Sequence, residues 1–134
     1  MEVIKINEDN VHILKRFIET VGSSSKHFRY FLNRDYKEAI INHVTTYILH
    51  DGGYVGYGHL DKEDNKVWLG VCVSEGFTGR GYGNTIMQHL IDSYDGEIDL
   101  SVDSDNKAAI KMYEKFLFKT VNQNNNIIYM RRHP

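Results

Sequence analysis

The chain has 134 residues, 41% of them hydrophobic and 25% charged, with a formal net charge of −2. That describes one ordinary globular domain spanning 1–134, long enough to bury roughly two-thirds of its unfolded surface. The near-balanced charge excludes a general electrostatic pull toward nucleic acid or an anionic membrane, and a lone Cys72 excludes an internal disulfide, which fits a reducing, cytoplasmic setting. The start, Met1 to Lys5, lacks an apolar signal core, and no apolar stretch is long enough to span a bilayer.

In chain order, Glu2 to Ile6 reads as a short strand. From Val11 to Val21 the apolar residues Val11, Leu14, Phe17, Ile18 and Val21 recur at helical spacing, with Asp9 or Asn10 as N-cap. Gly22 and the cluster Ser23-Ser24-Ser25 close that helix, and Asn124-Asn125-Asn126 reads as a turn. Lys26 to Asn42 is expected to be helical in two pieces, Phe28 to Asn33 and Tyr36 to Asn42. Three strands follow, Thr45 to His50, Tyr54 to Leu60 and Lys66 to Val73, the first two joined by the tight turn Asp51-Gly52-Gly53. The third is apolar on both faces and is expected at the centre of the sheet. Ile86, Met87, Leu90, Ile91 and Tyr94 then form a helical stripe, and Ile98, Leu100 and Val102 alternate in a strand. Lys107 to Phe116 is helical, and Phe118 to Asn122 with Ile127 to Met130 forms a closing hairpin. The order predicts an α/β domain with a mixed sheet.

The segment Val71 to Asn84 is the richest in chemistry. An apolar strand ends, Gly79, Gly81 and Gly83 follow within five residues, and a helix begins at once. Glycines let the backbone turn tightly and approach a ligand, and the free N–H groups of a helix start point at negative charge. This builds a site for a phosphate-bearing cofactor. The spacing lacks the third glycine of a dinucleotide fingerprint, and no Gly-Lys-Ser/Thr follows, which argues against a nicotinamide or nucleoside triphosphate site. Antiparallel hairpins ahead of the loop also suit a doubly wound fold poorly.

The same segment resembles the acyl-CoA binding stretch of the GNAT superfamily of N-acyltransferases, in which Arg/Gln-x-x-Gly-x-Gly/Ala opens a helix. Gly81 and Gly83 occupy the two small positions, with Arg80 and Tyr82 beside them, while Thr78 falls where the family has Arg or Gln. Downstream, Leu100 to Phe118 resembles the family's strand, Asn, helix and Tyr, with Asn106 and Tyr113 seven residues apart on one helix face and Leu117 in place of the usual Gly. The two segments cover about a third of the chain. The resemblance implies a mostly antiparallel mixed sheet flanked by helices, with a splayed central strand pair. It also implies acetyl-CoA as cosubstrate and acetyl transfer to a small-molecule amine by direct attack. Val71, Cys72, Val73, Thr78, Gly79, Arg80, Gly81, Tyr82, Gly83, Asn84, Asn106 and Tyr113 would hold the cofactor. Tyr113 would protonate the departing thiolate, since a phenol with pKa near 10 keeps its proton at neutral pH. A backbone N–H near Val71 to Val73 would steady the thioester oxygen.

No family motif fixes the base. His59 is the first candidate, because its pKa lies near working pH and it shares a strand face with Tyr57 and Asp61. Asp99, Ser101 and Asp103 are the second choice. Lys26 to Arg34 interleaves aromatics with arginines, which makes Arg29, Tyr30 and Arg34, together with Tyr57, the expected acceptor contacts for a ring carrying phosphate or carboxylate. A faint likeness to family members that acetylate amino sugars of bacterial surface glycans suggests a nucleotide-linked amino sugar. Other readings stay open: a peptide or protein amine as acceptor, or a non-catalytic acyl-CoA sensor. Tyr113 could be a core residue, Asn106 only an N-cap, His59 a hydrogen-bonded histidine, and Cys72 and Trp68 packing. The family is often dimeric, and the Phe118 to Met130 hairpin offers an edge for a homodimer. No metal site is expected.

Overall fold

The computed structural model describes residues 1–22 and 28–134. Along them run β1 (Glu2–Lys5), α1 (Val11–Glu19), α2 (Tyr36–Ile41), β2 (His43–His50), β3 (Tyr54–Glu63) and β4 (Lys66–Val73). There follow α3 (Tyr82–Asp92), β5 (Ile98–Asp103), α4 (Lys107–Lys115), β6 (Lys119–Asn124) and β7 (Ile127–Arg132). The strands form a seven-stranded sheet in the order β1-β2-β3-β4-β5-β7-β6, so the apolar β4 is central, as its composition predicts. Every neighbouring pair is antiparallel except β4 and β5. Those two are parallel and in register only at Trp68 and Asp99. Past that bridge they part toward Val73 and Asp103, which is the expected splay.

Neighbouring residues Ile48 and Leu49 on β2 enter different apolar clusters, so the clusters lie on opposite faces of the sheet. One face carries Leu14 and Phe17 of α1 and Ile40 of α2 against Ile48, Tyr57 and Cys72. The other carries Ile86, Met87 and Leu90 of α3 and Tyr113 of α4 against Leu60, Leu69, Leu100 and Met130. Two of the helix starts follow their side chains. Asp35 accepts the Glu38 N–H at 3.0 Å to open α2, and Asn106 accepts the Ala109 N–H at 3.4 Å to open α4.

Phe28 to Asn33, expected as a helix, is instead a chain of turns, with the Leu32 N–H donating to the Arg29 carbonyl at 3.1 Å. Tyr30 and Phe31 are adjacent yet both point inward, their ring centroids 4.8 Å apart. A helix would swing neighbours about 100° apart and lose one of those contacts. The burial of these rings therefore overrides local propensity. Ser23 to Ser25, Lys26 and His27 lie outside the described residues. β3 also runs on to Glu63 rather than stopping at Leu60, because the polar Asp61 on it is itself buried.

Candidate active site

A cavity of about 770 Å³ opens where β4 and β5 separate. Leu69 to Val73 form one wall and Ser101 to Asp103 the other. The start of α3 closes one end, α4 lies along the side, and Phe28 to Arg34 reaches over the far end. Past Trp68, the backbone groups of β4 that face away from β3 have no strand partner among the described residues, so they are open to a ligand.

At the near end, Gly81 caps α3 with φ +83°, a left-handed conformation that glycine adopts without strain. The turn delivers the N–H groups of Tyr82, Gly83 and Asn84 to the cavity wall without intrahelical acceptors. Among the described residues, chain neighbours aside, no atom lies within 4 Å of where a Cβ at Gly79 or Gly81 would stand, which leaves a cradle of main chain and empty space. Those donors at the positive end of an eleven-residue helix fit a pyrophosphate. Thr78, Gly79, Gly81, Tyr82, Gly83 and Asn84 all line the cavity. Arg80 does not. Its guanidinium lies 5.4 Å from the Phe77 ring centroid, so this expected cofactor contact is not on the wall. The Tyr82 hydroxyl donates to Asp51 Oδ2 at 2.6 Å, tying the loop to the β2–β3 turn.

Along the middle, Val71, Cys72 and Val73 line the cavity from β4, and Asn106 and Tyr113 line it from α4. Burial pushes the Cys72 thiol up to about 12, so it remains protonated packing. Tyr113 is 7% exposed, and its hydroxyl makes no hydrogen bond among the described residues. Burial, with Cys72 nearby, raises its pKa, which keeps the phenol protonated. Asn106 serves as N-cap and as wall at once.

The far end is a polar cluster. Tyr30 donates from its hydroxyl to Asp61 Oδ2 at 2.6 Å and lies 3.0 Å from His43 Nε2. His43 Nδ1 meets Thr46 Oγ1 at 2.6 Å, and the Tyr57 hydroxyl meets His59 Nδ1 at 2.7 Å. Burial lowers both histidines: His43 is pushed down to about 4, and His59, with His43 and Arg34 adding to the effect, falls well below the usual range. Both rings are neutral at pH 7. Arg34 donates to the Tyr30 carbonyl at 2.7 Å with its guanidinium 4.0 Å from that ring's centroid. Arg29 grips Asp103 with two bonds of 2.8 and 2.9 Å.

Of the expected site residues, Tyr113, Asn106, His59, Tyr30, Arg29, Arg34 and the glycine loop meet in this cavity. Tyr57 does not reach it. That residue is fully buried and supports His59 from behind. Among the second-choice bases, Asp99 is not on the wall either: Arg131 holds it at 2.9 and 3.1 Å, and Lys66 at 3.4 Å. Asp61, Glu63 and Phe28 complete the far wall. Asp61 was signalled by its place on the Tyr57–His59 face; nothing in the sequence ties His43, sixteen residues upstream, to that face.

The model of the family described as Acetyltransferase (GNAT) family matches residues 9–118. A comparison with curated proteins gives no match. Solved structures of similar shape include a GCN5-related N-acetyltransferase from Kribbella flavida, with TM-score 0.77, 15% identity, and 99% of this chain and 97% of that one covered. Another is yncA of Salmonella typhimurium, solved with its cofactor acetyl-CoA, with TM-score 0.75, 15% identity and coverage of 99% and 93%. A third is the ribosomal-protein-S18-alanine N-acetyltransferase of Escherichia coli, with TM-score 0.72, 15% identity and coverage of 98% and 92%. These likenesses carry the fold. The family match spans the parted strands, the helix-capping glycine loop and the helix that bears Tyr113, and through it the chain belongs to the GNAT family of acetyltransferases, enzymes that use acetyl-CoA as cosubstrate.

Proposed function

We propose that this acetyltransferase acts on a primary amine of a small molecule by direct attack on the thioester, with Tyr113 as the acid. The observation that carries this reading is one continuous cavity joining the α3 N-terminus, the open edge of β4, the Tyr113 hydroxyl and a polar far end that holds Asp61. Acetyl-CoA supplies an activated acetyl group and a thiolate leaving group. Tyr82, Gly83 and Asn84 hold the phosphates through their N–H groups, and the free backbone of β4 lines up the pantetheine arm. The buried Tyr113 keeps a proton on Oη for the departing sulfur. The amine arrives as an ammonium and gives up its proton at the far end. Phe28, Arg29, Tyr30 and Arg34 wall that end, which favours a small acceptor over a peptide.

A nucleotide-linked amino sugar is the acceptor supported by the exposed Arg34 guanidinium beside the Tyr30 ring, a pairing suited to phosphate next to a flat or sugar ring. A non-catalytic acyl-CoA sensor is the second reading, favoured by Thr78 at the cofactor end. Titration of acetyl-CoA into the protein, followed by CoA release across a panel of amines led by amino sugars, tests both. Saturable binding with turnover supports the transferase; binding without turnover on any amine supports the sensor. No binding at sub-millimolar acetyl-CoA refutes both.

A further inference from the structure

His59 occupies an arrangement that the transfer reaction alone does not require. The Tyr57 hydroxyl is fully buried, and His59 Nδ1 is its one hydrogen-bond partner among the described residues. A hydroxyl proton sealed from water needs an acceptor. Tyr57 therefore donates and Nδ1 accepts, which leaves the proton of the neutral ring on Nε2. Nε2 itself has no partner in the described protein. The one sealed side-chain polar atom without a partner there is Thr45 Oγ1, so Nε2 opens on the cavity whose wall His59 forms.

The ring is held on every side. Tyr30 lies 4.3 Å away and His43 4.5 Å away, centroid to centroid. Beneath it, a Cβ on Gly70 of β4 would stand 2.5 Å from Cε1. The titratable and charged groups facing this ring are Tyr57 and Asp61 from β3, His43 from β2, and Tyr30 and Arg34 from the turns above. Asp61 sits two residues along on the same face, about 7 Å away at the backbone. It is 4% exposed; Oδ2 is taken by Tyr30, while Oδ1 accepts nothing among the described residues.

Resting on the acetyl-transfer reading, we infer that His59 is a fixed hydrogen-bond donor and not the base. Together with Asp61 it selects an acceptor amine that carries an oxygen on the neighbouring carbon, as in a vicinal amino alcohol or an amino sugar. Asp61 Oδ1 receives the ammonium and, as the N–H bond breaks and an O–H bond forms, its proton. The oxygen accepts Nε2–H. Asp61 also lines a second cavity of about 340 Å³ shared with Tyr30, Arg34 and Glu63, through which that proton reaches water.

The first test needs no turnover. In protein labelled with ¹⁵N-histidine and saturated with CoA, the His59 resonances, identified by their loss in His59→Gln, should show a protonated Nε2 and a bare Nδ1 that do not titrate between pH 6 and 8. A proton on Nδ1, or a titration in that range, overturns the inference. The second test compares kcat/KM for 2-aminoethanol and its isostere propylamine. One hydrogen bond to the substrate oxygen predicts about a tenfold preference for the amino alcohol. His59→Gln, whose amide N–H reaches toward the Nε2 position, should keep most of it, and His59→Leu should bring the ratio to about one. Equal rates on the wild-type protein overturn the selection while leaving acetyl transfer intact. If neither amine turns over, the transfer reading is decided by the wider panel of amines. Calorimetric titration of the two amines into CoA-saturated protein then decides the selection, and equal affinities overturn it.

Discussion

Replacing Gly70 with alanine tests how tightly the His59 ring is clamped. The added Cβ would stand 2.5 Å from His59 Cε1 and 2.6 Å from Nε2, closer than real contacts allow. The ring cannot retreat, because Tyr30 and His43 pack against it and Tyr57 bonds its other side. Overpacking of this kind costs about 1–3 kcal/mol, against which alanine recovers about 0.4–1 kcal/mol by restricting the unfolded chain. The net loss is about 0.5–2 kcal/mol. With about 2.1 cal/mol/K per residue, a chain of 134 residues has an unfolding entropy of about 0.28 kcal/mol/K, so Tm should fall by about 2–7 °C. Thermal unfolding followed by circular dichroism measures it. Gly53→Ala, where nothing lies within 4 Å, is the control and should be neutral or slightly stabilising. In a His59→Ala background the clash disappears, and Gly70→Ala should raise Tm instead. An unchanged Tm, or the same loss in both backgrounds, would refute the clamp.

Tyr113→Phe should lower kcat by about 10²-fold, the scale of one general acid. Because the hydroxyl has no hydrogen bond to lose, Tm and acetyl-CoA affinity should hold; a kcat within threefold of wild type would return Tyr113 to the core. Thr78→Arg restores charge at the cofactor end and should tighten acetyl-CoA binding about tenfold at low salt, less so at high salt. Unchanged affinity measured by calorimetry would place the phosphates elsewhere. Burial alone would raise the Asp99 carboxyl, but Arg131 and Lys66 outweigh it and hold the group below the ordinary carboxylate range. A depressed folded pKa contributes stability above the unfolded pKa of about 4 that is lost as pH falls through the folded value. Denaturant midpoints should therefore show Asp99→Asn less stable than wild type at pH 7, with the gap closing as pH falls below the ordinary carboxylate range. A gap that persists at pH 2 would count against the ion pair as its cause.

Much of this architecture was legible because burial and period coincide. β4 is apolar on both faces and sits at the centre, and the α3 stripe of Ile86, Met87 and Leu90 packs as its spacing predicts. The glycine loop announced an anion site because Gly79 and Gly81 take positive φ, which other residues adopt at a cost. Leu117 takes the same conformation, φ +72°, at the family's glycine position and leaves its side chain exposed. What escaped local reading depends on distant partners. Phe28 to Asn33 loses its helix to rings that fit Asp61 and Tyr57, far along the chain. Arg29 had the look of an anion binder, yet it is spent on Asp103, 74 residues away. His59 had the look of a base because an isolated imidazole titrates near neutrality; its burial against Tyr57, which lowers its pKa, is a property of the fold that no local sequence pattern carries.

The single bridge between Trp68 and Asp99 has a mechanical consequence. By strand pairing alone the sheet is two panels, β1 to β4 and β5 to β7, bridged at one residue pair along their common seam, while Leu69 and Leu100 share one apolar cluster beneath it. A cosubstrate lying in that seam, as proposed, would take the place of a missing ladder and couple the panels. Folding and cofactor level are then linked by mass action: acetyl-CoA at a hundred times its dissociation constant adds about 2.7 kcal/mol. On that reading the resting enzyme would be the looser object, and hydrogen exchange along the seam would gauge how much acyl-CoA surrounds it.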